Sequence, residues 1–130
     1  MALPTPVRRL FDYRARATSD PQGERAPGAG MRVRVPFGRQ RMIGIVMGTA
    51  ERSDVAEEKL KSVLEVLDER PIVDSALLEL LRWAAGYYHH PIGEVVASAL
   101  PTALRTGAGT RASEERWRIT TAGEQACARD

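Results

Sequence analysis

An aspartate flanked by two aromatics, set among arginines, is the first place where this sequence could do chemistry. Phe11, Asp12 and Tyr13 are consecutive, with Arg8, Arg9, Arg14 and Arg16 around them. Guanidinium forks match phosphate oxygens, and aromatic faces accept stacked bases at about 1–3 kcal/mol per base, whatever the base. A carboxylate among such groups repels an internal phosphate by on the order of 3 kcal/mol at ~5 Å and an effective dielectric near ~20. The same carboxylate accepts a hydrogen bond from a free sugar hydroxyl, which contributes roughly 1.5–3 kcal/mol. It also accepts from base amino groups. Such a set favours the end of a polynucleotide over its interior. The competing reading pairs Asp12 with a neighbouring arginine on a sheet surface and puts Phe11, Tyr13 and Phe37 in the core.

These residues need a rigid support, and the pattern predicts one. Pro4 and Pro6 force an extended path, and Leu10–Arg16 reads as a strand. Residues 17–30 form a Gly/Pro-rich loop without periodicity. In "MRVRVPFG" Val33 and Val35 alternate with Arg32 and Arg34, which sends the valines inward and the arginines outward. Gly38–Arg41 is expected to turn the chain into a second strand, Met42–Thr49, with Arg39 and Arg41 at the tip. Gly44 marks a bulge or a close backbone approach. Asp54 and Glu57 have the spacing of a capping box for one helical turn, and Val63–Leu67 reads as a short strand. A helix capped by Asp74 or Ser75 is expected to bury Leu77, Leu80, Leu81, Ala84 and Tyr88, with Trp83, Tyr87 and Tyr88 packed on the sheet. A second helix, opened by Pro91 and ended by Pro101, carries Ile92, Val95, Val96, Ala99 and Leu100 on one face. The expected fold is α+β: a small, twisted, mostly antiparallel sheet, an OB-like open half-barrel, followed by two packed helices.

Composition narrows the function. The 130 residues carry a net charge of +2, but residues 1–50 hold nine Arg against three Asp/Glu, while 51–100 hold five Lys/Arg against ten Asp/Glu. A basic first part suits a polyanion. One cysteine, Cys127, permits neither an internal disulfide nor a zinc site. The cytosol is the expected compartment, and no apolar run is long enough to span a membrane. Phosphate-loop, nucleophile-elbow and dinucleotide motifs are absent. His89 and His90 are adjacent, so on a helix they diverge and read as helix-end residues. Glu57 and Glu58 read as a solvated face. Nothing argues for an enzyme.

The ordered set "LPTPVRRLFDYR", "RVRVPFG", "IGIV", "LKSVLEVLDERP" and "WAAGYYHHPIGEVVASALP" closely resembles the N-terminal 3′-DNA-binding domain of PriA, the bacterial replication-restart helicases also called primosomal protein N′. The resemblance covers about residues 2–105, and "RWRITTAGEQA" resembles the opening of the winged-helix domain that follows in that family. Residues 1–105 are therefore expected to be the DNA-binding domain, and 106–130 a linker and the start of the next. The resemblance implies capture of the 3′-hydroxyl end of the nascent leading strand at a stalled fork, with little regard for base. Phe11, Asp12 and Tyr13 match the family's end-binding residues. Lys61 matches a pocket lysine and Gly38 a glycine at the pocket wall. Arg14, Arg34, Arg39 and Arg41 are the candidates for the DNA backbone.

The resemblance further implies a monomer in the bacterial cytoplasm, associated with the nucleoid. Other primosome proteins and single-strand-binding protein would be met through a longer parent. No cofactor is expected in this chain. ATP, magnesium and zinc would belong to a helicase core that the sequence lacks, in a parent that would be an ATP-dependent 3′-to-5′ DNA helicase. Two departures stand out: residues 17–30 are longer than the family pattern, and Met1–Leu3 stand where a longer first strand is expected.

Overall fold

The computed structural model describes residues 1–15, 26–110, 118–121 and 124. Two strands, β1 (Arg32–Phe37) and β2 (Gln40–Ile45), form an antiparallel hairpin in which Arg32 faces Ile45 and Phe37 faces Gln40. The turn is two residues, Gly38 and Arg39. Gly38 has φ +59°. That value fits the turn whose first central residue must be left-handed, a conformation glycine adopts at little cost. A third strand, β3 (Glu65–Val66), lies antiparallel on the other side of β1, giving the order β2-β1-β3. Backbone bonds from Leu64 to Arg34 and from Leu67 to Arg32 extend this pairing over the expected Val63–Leu67.

The N-terminal segment closes the sheet into a curl. Ala2 exchanges both backbone bonds with Ile45 at the β2 edge, at 2.9 and 3.0 Å. Twelve residues on, Arg14 bonds to Lys61 and Val63 beside the β3 edge, at 2.9 and 3.0 Å. Both edges are thus occupied by one strap, which protects them from pairing with another chain. The strap is mostly irregular. The strand expected over Leu10–Arg16 is reduced to a parallel bridge between Arg14 and Ser62, because prolines and an aromatic anchor, rather than a continuous ladder, fix its path. Gly44 and Gly93 clasp the strap from two sides. A Cβ on Gly44 would lie 2.8 Å from the Ala2 carbonyl oxygen, and one on Gly93 would lie 1.5 Å from that of Leu3.

Helices follow the sheet. α1 (Ser75–Tyr87) is capped by Asp74, whose carboxylate accepts from the Leu77 N–H at 2.8 Å. It ends with His89 at φ +50°. His90 N–H returns to the Ala85 carbonyl and His89 N–H to that of Gly86, the paired closure of a Schellman motif. His89 is a helix-end residue, as expected. α2 (Ile92–Ser98) and the short α3 (Thr102–Arg105), which the pattern did not suggest, each follow a proline cap.

The core lies on both faces of the sheet. Leu3, Val33, Val35, Val46 and Val63 fill the inside of the curl, with Phe11, Tyr13 and Phe37 against them. Ala2, Ile45, Met47, Val73, Leu78, Leu81 and Val96 join the opposite face to α1 and α2.

Several expectations are corrected. Arg32 does not face solvent: it is 1% exposed. Its face of the sheet is covered by α3 and the turn after it, so Arg32 Nη1 donates to the carbonyls of Leu104 and Ala108 while the rest of the guanidinium meets Asp68. On α1 the buried residues are Leu78, Leu81 and Ala85, whereas Leu77 and Leu80 are exposed. The run "LLELL" offers two apolar stripes, and contact with Val73 and Val96 selects one. Trp83, Tyr87 and Tyr88, expected to pack on the sheet, are 59%, 65% and 69% exposed. They pack on one another instead, Trp83 stacked on Tyr87 at 5.0 Å. The turn at Glu57–Lys59 is a single 3-10 turn with Ala56 before it and no side-chain cap, so the Asp54–Glu57 capping box is not formed. Of the linker and winged-helix start expected over 106–130, residues 111–117, 122–123 and 125–130 lie outside the described residues, as do residues 17–25 of the loop at 17–30.

Candidate nucleic-acid interface

The strap carries Phe11-Asp12-Tyr13 across the mouth of a cleft of about 440 Å³. Alternation decides which side each residue serves. Phe11 and Tyr13 turn toward the core and are half-buried. The Phe11 ring meets Phe37 edge-on, with centroids 5.2 Å apart, and the Arg9 guanidinium sits 5.2 Å above the Phe11 centroid. The Tyr13 hydroxyl donates to the Pro36 carbonyl at 3.0 Å, and burial pushes its phenol above the ordinary value. Both aromatics therefore tie the strap to the end of β1, next to Gly38.

Asp12 points the other way and is exposed. Its hydrogen-bond partner among the described residues is not an arginine. Oδ2 accepts from the Ser53 hydroxyl at 2.5 Å, and Ser53 Oγ in turn accepts from the Val55 N–H at 3.1 Å. Arg14 reaches across to the 3-10 turn, donating to the Glu57 carbonyl at 3.1 Å with the Glu57 carboxylate at 3.8 Å. The cleft between Asp12 and the loop after β2 is lined by Thr49, Glu51, Arg52 and Ser53 on its far wall. Carboxylates and guanidiniums alternate there, so the cleft offers hydrogen-bond acceptors and donors rather than one sign of charge.

Of the remaining candidates, Lys61 is exposed, and its carbonyl accepts from Arg14 N–H, which places it beside the strap. Gly38 stands at the hairpin tip with open space around its Cα. Neither Gly38 nor Lys61 lines the cleft. Arg34 is committed to Glu65 at 2.8 Å. Arg39 is exposed in the turn, whereas Arg41, expected in the connection as well, is exposed on β2 opposite Pro36; neither carries an ion pair among the described residues. Ser53 and Glu57, which hold Asp12 and Arg14, were not singled out for these contacts from the sequence. They lie about 40 residues away along the chain, and the only local sign was a polar run after a strand.

Among the described residues the arrangement can bind but holds no catalytic constellation. Among the described residues no group of His, Cys, Asp and Glu could hold a metal ion, and no helix is long and apolar enough to cross a membrane.

Comparison with known proteins bears on this geometry. Residues 1–101 match the family model of the 3′ DNA-binding domain (3′BD) of PriA. The chain is 41% identical over 127 residues to the replication restart protein PriA of Haemophilus influenzae, covering 97% of this chain and 17% of that protein. It is 30% identical over 104 residues to PriA of Treponema pallidum and 29% identical over 105 residues to PriA of Buchnera aphidicola from Schizaphis graminum. These cover 77% and 81% of this chain, and 15% and 14% of those proteins. The chain thus spans about a sixth of the length of these relatives. With its sheet, its strap and 101 matched residues, this chain belongs to the PriA 3′ DNA-binding domain family.

Proposed function

We propose that this domain recognises the 3′-hydroxyl end of the nascent strand at stalled replication forks, with little base specificity, in PriA-dependent replication restart and primosome assembly. The observation that carries the reading is the Asp12 carboxylate. It sits exposed at a cleft mouth, one oxygen is engaged by Ser53, and no arginine among the described residues pairs with it; the cation whose charge it meets is the Met1 ammonium. A continuing strand would set a phosphate against that charge, whereas a terminal hydroxyl would donate to it. Phe11 and Tyr13 supply half-exposed ring surface, and Lys61 with Gly38 flank the strap where the preceding phosphate and sugar would run. Arg39 and Arg41, with Arg14 and Arg34 partly shared with carboxylates, offer contacts to the backbone.

In this reading residues 1–105 act as a monomeric end-binding domain and residues 106–130 begin a winged-helix domain. A longer parent would supply ATP-dependent 3′-to-5′ helicase activity, its ATP, magnesium and zinc sites, and contacts to other primosome proteins and single-strand-binding protein. It would work in the bacterial cytoplasm at the nucleoid.

The test is fluorescence anisotropy with 5′-labelled oligonucleotides that differ only in ending in a 3′-hydroxyl or a 3′-phosphate. The hydroxyl end is expected to bind several-fold more tightly, and Asp12→Ala to shrink that ratio. Equal affinity for both ends would favour a second reading, a generic single-strand binder, for which Arg39 and Arg41, exposed on the hairpin and without an ion pair among the described residues, speak.

A further inference from the structure

Asp12 is one residue from Phe11 and two from Arg14, on a strap whose backbone is bonded on both sides, so its Cα is fixed. Its carboxylate is not fixed by the backbone. An exposed Asp side chain in a cleft that also holds Arg14 and Arg52 has an obvious alternative, which is to fold onto one of those guanidiniums. Two contacts oppose that collapse. Glu57 draws Arg14 toward the 3-10 turn. Ser53, on the loop after β2, holds Asp12.

The hydrogen-bond inventory of Ser53 makes its role directional. A serine hydroxyl has one proton and two lone pairs. The Val55 N–H takes a lone pair at 3.1 Å, so the proton is left for Asp12 Oδ2 at 2.5 Å, a short, charge-assisted bond. An ionised carboxylate has two oxygens and about four acceptor sites. Ser53 therefore occupies one site and leaves Oδ1, which has no hydrogen-bond partner among the described residues, for a second hydroxyl.

We propose that Ser53 is a positioning residue for 3′-end recognition: its hydroxyl locks the Asp12 carboxylate in the rotamer that presents Oδ1 to the terminal sugar hydroxyl. This inference rests on the end-binding reading above. It differs from a role for Ser53 as an internal competitor that must be displaced by DNA. A competitor's removal would tighten binding, whereas removal of a positioning group weakens it.

The full 130-residue chain is titrated with 5′-labelled single-stranded oligonucleotides ending in 3′-hydroxyl or 3′-phosphate. The proteins compared are the wild type, Ser53→Ala, Ser53→Thr, Asp12→Ala and the Ser53→Ala/Asp12→Ala double variant, each checked by thermal melting. Ser53→Ala is expected to weaken binding of the hydroxyl end about three- to tenfold and to leave the phosphate end within about twofold. Ser53→Thr, which keeps the hydroxyl, is expected to restore the hydroxyl-end affinity. The double variant is expected to bind like Asp12→Ala alone. Unchanged or tighter hydroxyl-end binding by Ser53→Ala, in a wild type that does discriminate, would overturn the role of Ser53 and leave the end-binding reading intact. A parallel loss for both ends with no rescue by threonine would also overturn it, by showing Ser53 to be only structural. A wild type that does not discriminate would overturn the end-binding reading itself.

Discussion

The Arg32 guanidinium and the Asp68 carboxylate form an ion pair sealed from solvent, with Nη2 2.6 Å from Oδ1 and side chains 1% and 3% exposed. Asp68 also accepts from Arg32 Nε and from the Arg32 backbone N–H, and Arg32 Nη1 reaches the Leu104 carbonyl in α3 and that of Ala108 just after it. Every polar atom of the pair is satisfied, which is the condition for keeping two charges inside.

Removing one partner strands the other. Asp68→Ala is expected to cost about 3–5 kcal/mol, because a buried guanidinium loses its counter-charge. The double variant Arg32→Met/Asp68→Leu is expected to lose less than either single variant. Urea denaturation midpoints for the four proteins check this.

Alkaline stability depends on Tyr13. Burial raises its phenol above the ordinary value, so the folded state keeps that proton to higher pH than the unfolded chain. The stabilisation is fully present below the unfolded value of about 10 and is lost as pH rises through the folded value. Urea midpoints for the wild type should fall relative to Tyr13→Phe above about pH 10. At neutral pH Tyr13→Phe should be less stable by roughly 0.5–1.5 kcal/mol, from the lost bond to the Pro36 carbonyl.

His89 closes α1 in a left-handed conformation that costs a non-glycine residue on the order of 1 kcal/mol. His89→Gly is expected to raise stability by about 0.5–1 kcal/mol and to leave DNA affinity unchanged. Thermal melting and anisotropy on the same preparation test both parts.

Salt dependence separates the arginines. Arg39→Ala and Arg41→Ala are expected each to make the slope of log affinity against log salt shallower by about 0.7–0.9, equally for 3′-hydroxyl and 3′-phosphate ends. Arg34→Ala should do less, because Glu65 already shares its charge at 2.8 Å. Wild-type slopes for Arg39→Ala and Arg41→Ala would show that neither hairpin arginine meets phosphate.

How much of this was legible in the sequence depends on the range of each contact. The β1–β2 hairpin was, since alternation of Val33 and Val35 and the glycine at 38 are local signals. The α1 cap at Asp74 was too. Alternation told which face Arg32 takes but not that α3 would cover that face, because the covering carbonyls lie more than 70 residues on. The apolar stripe of α1 failed for a different reason: "LLELL" fits two rotations of the helix, and only the packed partner chooses. At the site, Phe11, Asp12 and Tyr13 announced themselves by residue type, while Ser53 could be found only after folding brought it to Asp12.

One strap touching two margins has a dynamic corollary. The amides of Ala2 and Ile45 at one margin, and of Arg14 and Val63 at the other, are protected by the same short stretch of backbone. Neither margin frays without loosening the tether that leads to the other. A ligand clamped at Asp12, on that tether two residues before Arg14, would therefore slow isotope exchange at both ends of the sheet together. Occupancy of the cleft would be felt as rigidity across the whole barrel wall.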